Sequence, residues 1–374
     1  MIKICFKLEN YPQALEYYTT LLTYVQSAVS RAYSEKSINT ILDRVSNVSQ
    51  ESVMEQFYTT TLENFNDTSN ENIWVKTNLK YAKLLLDKGD YGKLKGVLTQ
   101  CHQACQTEDG VNDQRKGTLL LEVLSLEIQM YTQTQDIAKL KNLYQQCLNI
   151  KSAVPHPRIM GIIRECGGKM HMREMQWKLA QIDFFESFKS YDEAGLPQRF
   201  QVLKYLILSH MLSDNYINPF DSVETKSYQN HPSIVPMTNL VQTYQNKELE
   251  EFQKTLKKNH VGIMDDPFIR SYMDDVLRNI RLQALTHLLV PYTSIKIDYI
   301  SKRMNIDTEL AINLATELIM DGKINLKIDQ VNGRLIMDKT STSVDIQRCQ
   351  AVLKWANSLK PFTGRSLDSA LRSK

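Results

Sequence analysis

Apolar side chains return at helical spacing through most of the sequence, and short polar breaks divide these stretches. The breaks are spaced by 40, 40, 46 and 40 residues along the first half of the chain. Each is followed by an apolar or aromatic residue: Asn10-Tyr11, Gln50 before Val53, Asp90-Tyr91, Asp136-Ile137 and Gln176-Trp177.

A repeat of ~34–47 residues is typical of a pair of antiparallel helices. Because one pair cannot bury its own apolar face, neighbouring pairs stack and share a continuous core. We therefore predict a mostly α-helical protein that begins with a right-handed, TPR-like helical-repeat solenoid. An irregular helical bundle with chance spacing is the alternative.

A smaller module follows a polar, proline-containing connection over residues 213–237. The pattern predicts a long helix that Asp266 caps, that Pro267 begins and that Pro291 stops. Two shorter helices follow, the second capped by Asp307 and ended by Gly322. The predicted buried residues are Ile269, Met273, Val276, Ile280, Ala284 and Leu288, then Ile300 and Met304, then Leu310, Leu314, Leu318 and Ile319.

Residues 323–335, "KINLKIDQVNGRL", alternate apolar and polar side chains and predict a β-hairpin. Asn332-Gly333 is the dipeptide that favours a tight type I′ turn. Three helices followed by a hairpin make a winged helix. A mostly helical chain therefore ends in a module that binds either nucleic acid or protein.

Charge argues against nucleic acid as the partner of this module. The last helix carries four carboxylates and no Lys or Arg, whereas a helix that contacts phosphates needs cations. An exposed strand edge can instead pair with another subunit. We predict that the hairpin serves subunit assembly through Ile324, Leu326, Ile328 and Leu335; a hairpin that only closes the core is the alternative.

Composition adds few restrictions to this picture. The chain has 374 residues, a net charge of +3 and 23 % charged residues, which is ordinary for a folded protein and gives no global attraction to a polyanion. No uninterrupted apolar run has the length of a signal peptide or a membrane span. The six dispersed cysteines indicate reduced, buried thiols in an intracellular protein.

No catalytic or metal-binding motif stands out. The seven histidines form neither His-x-His nor His-Glu-x-x-His, and Cys101-His102 with Cys105 has no second ligand pair at finger spacing. Gly167-Gly168 does not fit a P-loop, and we expect these glycines to let two helices approach closely. The sequence therefore predicts a protein that is not an enzyme and that needs no cofactor and no metal.

One basic strip is a candidate docking site. Lys76, Lys80 and Lys83 share one face of a predicted helix. The strip could bind an acidic surface of a partner protein, although a solvated face is the ordinary alternative.

Several longer strings carry a resemblance to a known family. "LLTYVQSAVSRAYSEKSIN", "IKSAVPHPRIMGIIRECGGKMH", "INPFDS", "MDDPFIR" and "IDQVNG" together resemble the subunit 2 family of the COP9 signalosome, whose members carry a PCI domain. The resemblance runs from residue 1 to about residue 338. Lid subunits of the proteasome share the architecture but are not expected to share these strings.

The resemblance implies a PCI domain, meaning a helical bundle plus a winged helix with a small β-sheet, after the helical repeats. The implied domains are a repeat arm at 1–178, a PCI domain at 179–341 (bundle 179–290, winged helix 291–341) and a helical tail at 342–374. Family members pack their winged helices side by side. Their complex removes Nedd8 from cullins, while a different, zinc-dependent subunit carries the chemistry.

The implied role is that of a non-catalytic scaffold that grips cullin-RING ligases, in the cytoplasm and nucleus. Its implied partners are other PCI and MPN subunits and the ligases, without a membrane and without direct nucleic-acid binding; the cullin contact would use Lys76, Lys80 and Lys83. The alternatives are a PCI scaffold of the proteasome lid or of a translation-factor complex, or a transcriptional corepressor or adaptor. Family members also carry an acidic extension ahead of the segment that begins at Met1, and some cullin and inositol-phosphate contacts lie there.

Overall fold

A computed structural model describes residues 1–28, 31–46, 48, 50–65, 71–105, 116–150, 155–213, 219–322, 324–337, 348 and 350–355. The contacts divide the chain into two compact units. The first unit covers residues 1–213 and 219–226, and the second contains the described residues from Ser227 onward.

The first unit is helical throughout its described part. Its helices are α1 (Ile2–Lys7), α2 (Tyr11–Ala28), α3 (Arg31–Val45), α4 (Glu51–Asn64), α5 (Glu71–Lys88), α6 (Tyr91–Ala104), α7 (Gly117–Thr134), α8 (Ile137–Asn149), α9 (Pro157–Arg173), α10 (Trp177–Glu193), α11 (Gln198–Leu212) and α12 (Val223–Lys226).

The predicted breaks are the starts of α2, α4, α6, α8 and α10, which confirms the repeat pattern. Two of these starts show the local cause. The carboxylates of Asp90 and Asp136 accept a hydrogen bond from the third backbone N–H of their helices, Lys93 and Lys139, each at 3.4 Å. A short polar residue before an apolar run is therefore a physical signal for a helix start in this chain.

The apolar core continues from one helix pair to the next. One cluster joins α1 to α5, and a second joins α5 to α9. Helix α5 belongs to both, since Ile73 and Leu84 pack in the first cluster while Val75 and Leu79 pack in the second. This sharing is what a stack of helical repeats requires.

Close approach explains the glycines of α9, as expected from the sequence. A Cβ atom at Gly168 would lie 2.6 Å from the ring of Phe184 on α10, and one at Gly167 would lie 2.5 Å from the ring of Tyr144 on α8. Neither distance is possible for a real side chain. The two glycines therefore let α8 and α10 pack directly against the backbone of α9.

The second unit contains shorter helices, one long helix and a small sheet. Its elements are α13 (Val235–Gln245), α14 (Leu249–Lys258), α15 (His260–Met264), α16 (Pro267–Leu289), β1 (Ser294–Lys296), α17 (Ile297–Met304), α18 (Thr308–Met320), β2 (Leu326–Asp329) and β3 (Arg334–Met337).

Helix α16 begins as predicted, because Asp266 accepts a hydrogen bond from the Phe268 N–H at 2.9 Å and Pro267 is the first helical residue. Its buried face differs from the prediction in the second half. Leu285 and Leu289 are buried there, whereas Ala284 and Leu288 are only half-buried. A straight helix with 3.6 residues per turn drifts away from a strict spacing of four, so the prediction was wrong by one position.

Helix α18 needed a similar correction. Leu314 and Leu318 are buried as predicted, but Leu310 is 39 % exposed, and Ala311 occupies the core instead. Ile319 is half-buried. The small Ala residues allow α18 to lie close to its neighbours, a packing that side-chain size does not reveal in the sequence.

The three strands form one antiparallel sheet with the order β1-β3-β2. The hairpin of β2 and β3 is confirmed, but the type I′ turn is wrong. Asp329 pairs with Arg334, so the loop has four residues, and Gly333 but not Asn332 has a positive φ. The Asp329 carboxylate instead accepts hydrogen bonds from the Asn332 N–H and Nδ2, an Asx turn that replaces the predicted dipeptide turn.

The predicted fold class is confirmed: helical repeats are followed by a helical module that ends in a winged helix with a small sheet. The division between the units follows Ser213 and does not coincide with the predicted boundary at 178/179, because α10 packs along α9. Residues 348 and 350–355 of the predicted tail are helical, while the other residues of that tail lie outside the described residues. No helix in the described part of the chain combines the length and apolarity of a membrane span.

Candidate functional site

The basic strip on α5 is mostly engaged within the chain. Lys76 Nζ lies 2.7 Å from the Glu35 carboxylate, and Lys80 Nζ lies 2.6 Å from the Asp43 carboxylate, both on α3. These two lysines tether α3 to α5, although exposed pairs of this kind contribute only ~0–1 kcal/mol. Both ammonium groups are therefore already paired with carboxylates of the same chain.

Lys83 differs from the other two lysines of the strip. It is exposed, and within the described residues no ion pair holds it. It lies on the same face of α5 as Lys76 and Lys80 and also lines a cavity together with Arg158 and Lys169 of α9. The three lysines therefore share a face, but they differ in their partners.

A further lysine of α5 ties the helix to α4. Lys88 Nζ lies 2.8 Å from the Glu55 carboxylate. The hydrogen bond from Lys88 lowers the pKa of Glu55 below its usual value. The α3–α4–α5 face is therefore an internal ion-pair network at the surface, which the sequence pattern could not distinguish from a docking strip.

The hairpin residues predicted for assembly divide into two groups. Leu326 and Leu335 are buried in the sheet's core face, with exposures of 6 % and 1 %. Ile324 and Ile328 are half-buried, and Ile324 precedes the strand. The buried pair stabilises the winged helix and does not face a partner, so any contact must use other atoms.

The backbone of the edge strands supplies such atoms. The Ile297 N–H donates to the Gly333 carbonyl and the Met337 N–H donates to the Thr293 carbonyl, both at 2.9 Å. In an antiparallel ladder these bonds alternate, so Ile295 bonds to β3 while Ser294 and Lys296 direct their backbone groups away from β3. No described strand pairs beyond β1, which leaves that edge open.

The acidic helix of the winged helix is α18. Its Glu317 accepts hydrogen bonds from Arg278 of α16, with the closest nitrogen and oxygen 2.7 Å apart. One of the four carboxylates therefore holds α18 to α16. Of the other three, Asp307 and Glu309 lie at the start of α18 and Asp321 at its end.

The candidate thiol cluster does not assemble a ligand set. Cys101 and Cys105 are buried on or beside α6, and burial raises the pKa of Cys101 to about 12. All five cysteines in the described residues are buried thiols outside any disulfide, as predicted, and Cys349 lies outside the described residues. Among the described residues, no group of three His, Cys, Asp or Glu side chains could hold a metal ion.

Comparison with known proteins agrees with this architecture. The sequence pattern of the PCI domain matches residues 256–339, which contain the last part of the helical module and the winged helix. COP9 signalosome complex subunit 2 of Drosophila melanogaster is 50 % identical over 360 residues, which cover 96 % of this chain and 81 % of the relative. The chain belongs to the COP9 signalosome subunit 2 family.

Two further relatives of this subunit 2 family member differ in their sequence identity to the chain. COP9 signalosome complex subunit 2 of Dictyostelium discoideum is 49 % identical over 97 % of this chain and 81 % of the relative. The 26S proteasome non-ATPase regulatory subunit 11 of the same organism is 24 % identical over 83 % of this chain and 75 % of the relative. The resemblance found in the sequence is confirmed, and the likeness to the proteasome lid is weaker.

Proposed function

We propose that the protein is a non-catalytic scaffold subunit of a COP9 signalosome, in which it supports removal of Nedd8 from cullin-RING ubiquitin ligases. The observation that carries this proposal is the identity of 50 % to a signalosome subunit 2 along nearly the whole chain. Helical repeats and an open winged-helix edge are both suited to holding other proteins. The hydrolytic step is assigned to a different, zinc-dependent subunit.

Assembly with other PCI and MPN subunits would use the open edge of β1. The outward N–H groups of Ser294 and Lys296 and the outward C=O of Ser294 can extend the sheet into a neighbouring subunit, whereas the Lys296 carbonyl caps the start of α17. This assignment replaces the predicted contact through Leu326 and Leu335, whose burial commits them to the core. The half-buried Ile324 and Ile328 stay candidates for the rim of such an interface.

Capture of cullin-RING ligases through Lys76, Lys80 and Lys83 stays a prediction. Reversal of these lysines to Glu would repel Glu35 and Asp43 and would destabilise the α3–α5 contact, so it confuses binding with folding. Neutral substitutions avoid this: Lys76→Gln, Lys80→Gln and Lys83→Gln together should weaken capture of a neddylated cullin-RING complex. The same three substitutions at Lys93, Lys95 and Lys178 provide the control, and equal retention of the ligase by both variants would reject the strip.

Direct nucleic-acid binding is not proposed, since α18 presents carboxylates where a reader helix needs cations. Localisation in the cytoplasm and nucleus is proposed from the family resemblance and is tested by imaging the tagged protein. An adaptor or corepressor role would instead concentrate the protein on chromatin.

Affinity purification of the tagged full chain from native extract, followed by mass spectrometry, tests the function. We expect PCI and MPN subunits of the signalosome and cullins in the purified material. Recovery of proteasome lid subunits or translation initiation factors in their place would overturn the proposal.

A further inference from the structure

A cavity lined by both charged and apolar side chains in the first unit is not explained by repeat stacking. It has a volume of about 340 Å³ and lies between residues of α5, α7 and α9 and the turn after α10. Three cations surround it: Lys83 from α5, and Arg158 and Lys169 from α9. The amides of Gln129 and Gln133 on α7 line it as well.

The cavity contains one carboxylate, which is already engaged. Glu165 accepts a hydrogen bond from Lys169 at 2.7 Å through one oxygen and from the Tyr191 hydroxyl at 2.8 Å through the other. Burial, and next the negative charge of Glu165, raise the pKa of Tyr191, which keeps its hydroxyl a donor. Lys169 and Glu165 therefore balance each other.

Two of the positive charges are not held in a direct ion pair, although the charge of Arg158 also acts on the Glu122 carboxylate. Within the described residues, neither the Lys83 ammonium nor the Arg158 guanidinium forms an ion pair, whereas Lys76 and Lys80 on the same α5 face do. Lys83 and Arg158 come from helices 75 residues apart in the sequence and meet at one cavity. Cations at a partly enclosed site attract an anion more strongly than they would on open surface.

We propose that this cavity binds a carboxylate side chain from an acidic segment of a partner protein. The volume is at the lower end of the ~300–1,000 Å³ typical of ligand pockets, so it can admit a side chain but no folded element. Ile162 and Leu196 can contact the methylene groups of a glutamate, while Lys83 and Arg158 bind its oxygens.

Charge favours a carboxylate over a phosphate here. A phosphate group near neutral pH carries close to two negative charges, which would lie beside the Glu165 carboxylate. A single carboxylate binds Lys83 and Arg158 with less repulsion from Glu165. The amides of Gln129 and Gln133 can bond the backbone of the bound segment. This inference goes beyond the proposed scaffold role and does not depend on it.

Fluorescence anisotropy of a labelled hexaglutamate peptide with the purified full chain tests the site, with labelled hexaglutamine as the neutral probe. We expect hexaglutamate to bind and hexaglutamine not to bind, with an affinity that falls as salt rises. Lys83→Gln and Arg158→Gln should each weaken binding about tenfold, the effect of losing one charged hydrogen bond. Lys83→Arg, which keeps the charge, should retain binding.

Lys95→Gln is the matched control, because Lys95 is an exposed lysine of α6 that does not line the cavity. Unchanged melting temperatures of the variants exclude a folding defect. An equal loss of affinity in Lys95→Gln, or no binding of hexaglutamate, would overturn the proposal. Tighter binding of inorganic phosphate than of hexaglutamate would also overturn it, since the site would then prefer a small anion.

Discussion

Replacement of Asp183 by Ala removes an acceptor that side chains from α8 and α9 share in the interior of the first unit. The Asp183 side chain is 5 % exposed. Its Oδ1 accepts a hydrogen bond from the Tyr144 hydroxyl at 2.6 Å and from Arg164 Nη1 at 2.7 Å. His171 Nε2 lies 3.4 Å from Oδ2. These contacts join α8 and α9 to α10.

The expected cost follows from the two short hydrogen bonds. Each is worth ~1.5–3 kcal/mol when the acceptor is charged. Arg164 is a quarter exposed and regains some hydration in the variant, so the sum is reduced to about 3–5 kcal/mol, the range for breaking a buried pair. For a unit of this size, 1 kcal/mol shifts the melting temperature by about 2–4 °C, which gives a decrease of about 6–20 °C.

Thermal unfolding of the full chain, followed by circular dichroism, measures this effect in the transition of the first unit. Glu35→Gln is the control, because it removes one partner of the partly exposed Lys76 pair and should cost ~0–1 kcal/mol. Tyr144→Phe should be destabilising in the native chain and less so once Asp183 is absent, when the hydroxyl keeps only the hydrogen bond that it accepts from Arg164 Nη1 at 2.9 Å. A shift for Asp183→Ala no larger than that for Glu35→Gln would refute the reasoning.

Gly168→Ala should cost ~1–3 kcal/mol in urea unfolding, because the new methyl group meets the Phe184 ring. Leu335→Ala should lower the melting temperature of the second unit by removing a buried side chain, at a cost of ~2–5 kcal/mol, whereas Ile336→Ala should cost much less because Ile336 is 39 % exposed. Glu127→Gln should stabilise the chain at pH 7, because burial raises the pKa of Glu127 in the folded state. Above the pKa of the unfolded chain, the carboxyl ionises more easily in the unfolded state than in the folded state, so its ionisation lowers the free energy of unfolding.

Control variants and pH test the substitutions at Gly168, Leu335 and Glu127. Gly96→Ala is the control for the glycine, because nothing lies within 4 Å of its added methyl group, and an equal loss in both variants would contradict the packing argument. Equal costs for Leu335→Ala and Ile336→Ala would contradict the assignment of the core face. The gain in free energy of unfolding from Glu127→Gln must shrink as pH falls toward 4, where the wild-type carboxyl becomes protonated in the folded and the unfolded state. A gain that does not change with pH would exclude ionisation of Glu127 as its cause.

Local signals explain which parts of the fold could be predicted. The starts at Tyr91 and Ile137 were readable from the sequence because a capping aspartate precedes each apolar run, whereas the start at Trp177 was readable from the apolar spacing alone, since Gln176 forms no side-chain cap. The turn of the hairpin was also local but ambiguous. Asn332-Gly333 favours a two-residue turn, but the hydrogen bonds from Asn332 to the Asp329 carboxylate stabilise a four-residue loop instead.

Long-range contacts explain the rest. Strand β1 has three residues, and only its pairing with β3, about 40 residues later, identifies it. The buried positions Ala311 and Leu285 depend on which helix packs opposite. Lys83 and Arg158 line the same cavity, and Lys76 forms an ion pair with Glu35. Neither arrangement could be predicted from the spacing of residues along one helix.

Sheet extension at β1 is the central structural claim for the proposed scaffold. Lys296 has φ −77° and ψ 139°, a conformation that proline adopts without strain, and its N–H is directed away from β3. Lys296→Pro should therefore remove the outward donor while the winged helix stays folded. Lys296→Ala removes the charge alone and serves as the matched control.

The decisive measurement is quantitative co-purification of signalosome PCI subunits with the tagged full chain, compared between the wild type, Lys296→Ala and Lys296→Pro. We predict full recovery with Lys296→Ala and a loss of recovery with Lys296→Pro, at unchanged melting temperatures. Equal recovery with a correctly folded Lys296→Pro variant would contradict assembly through this strand edge.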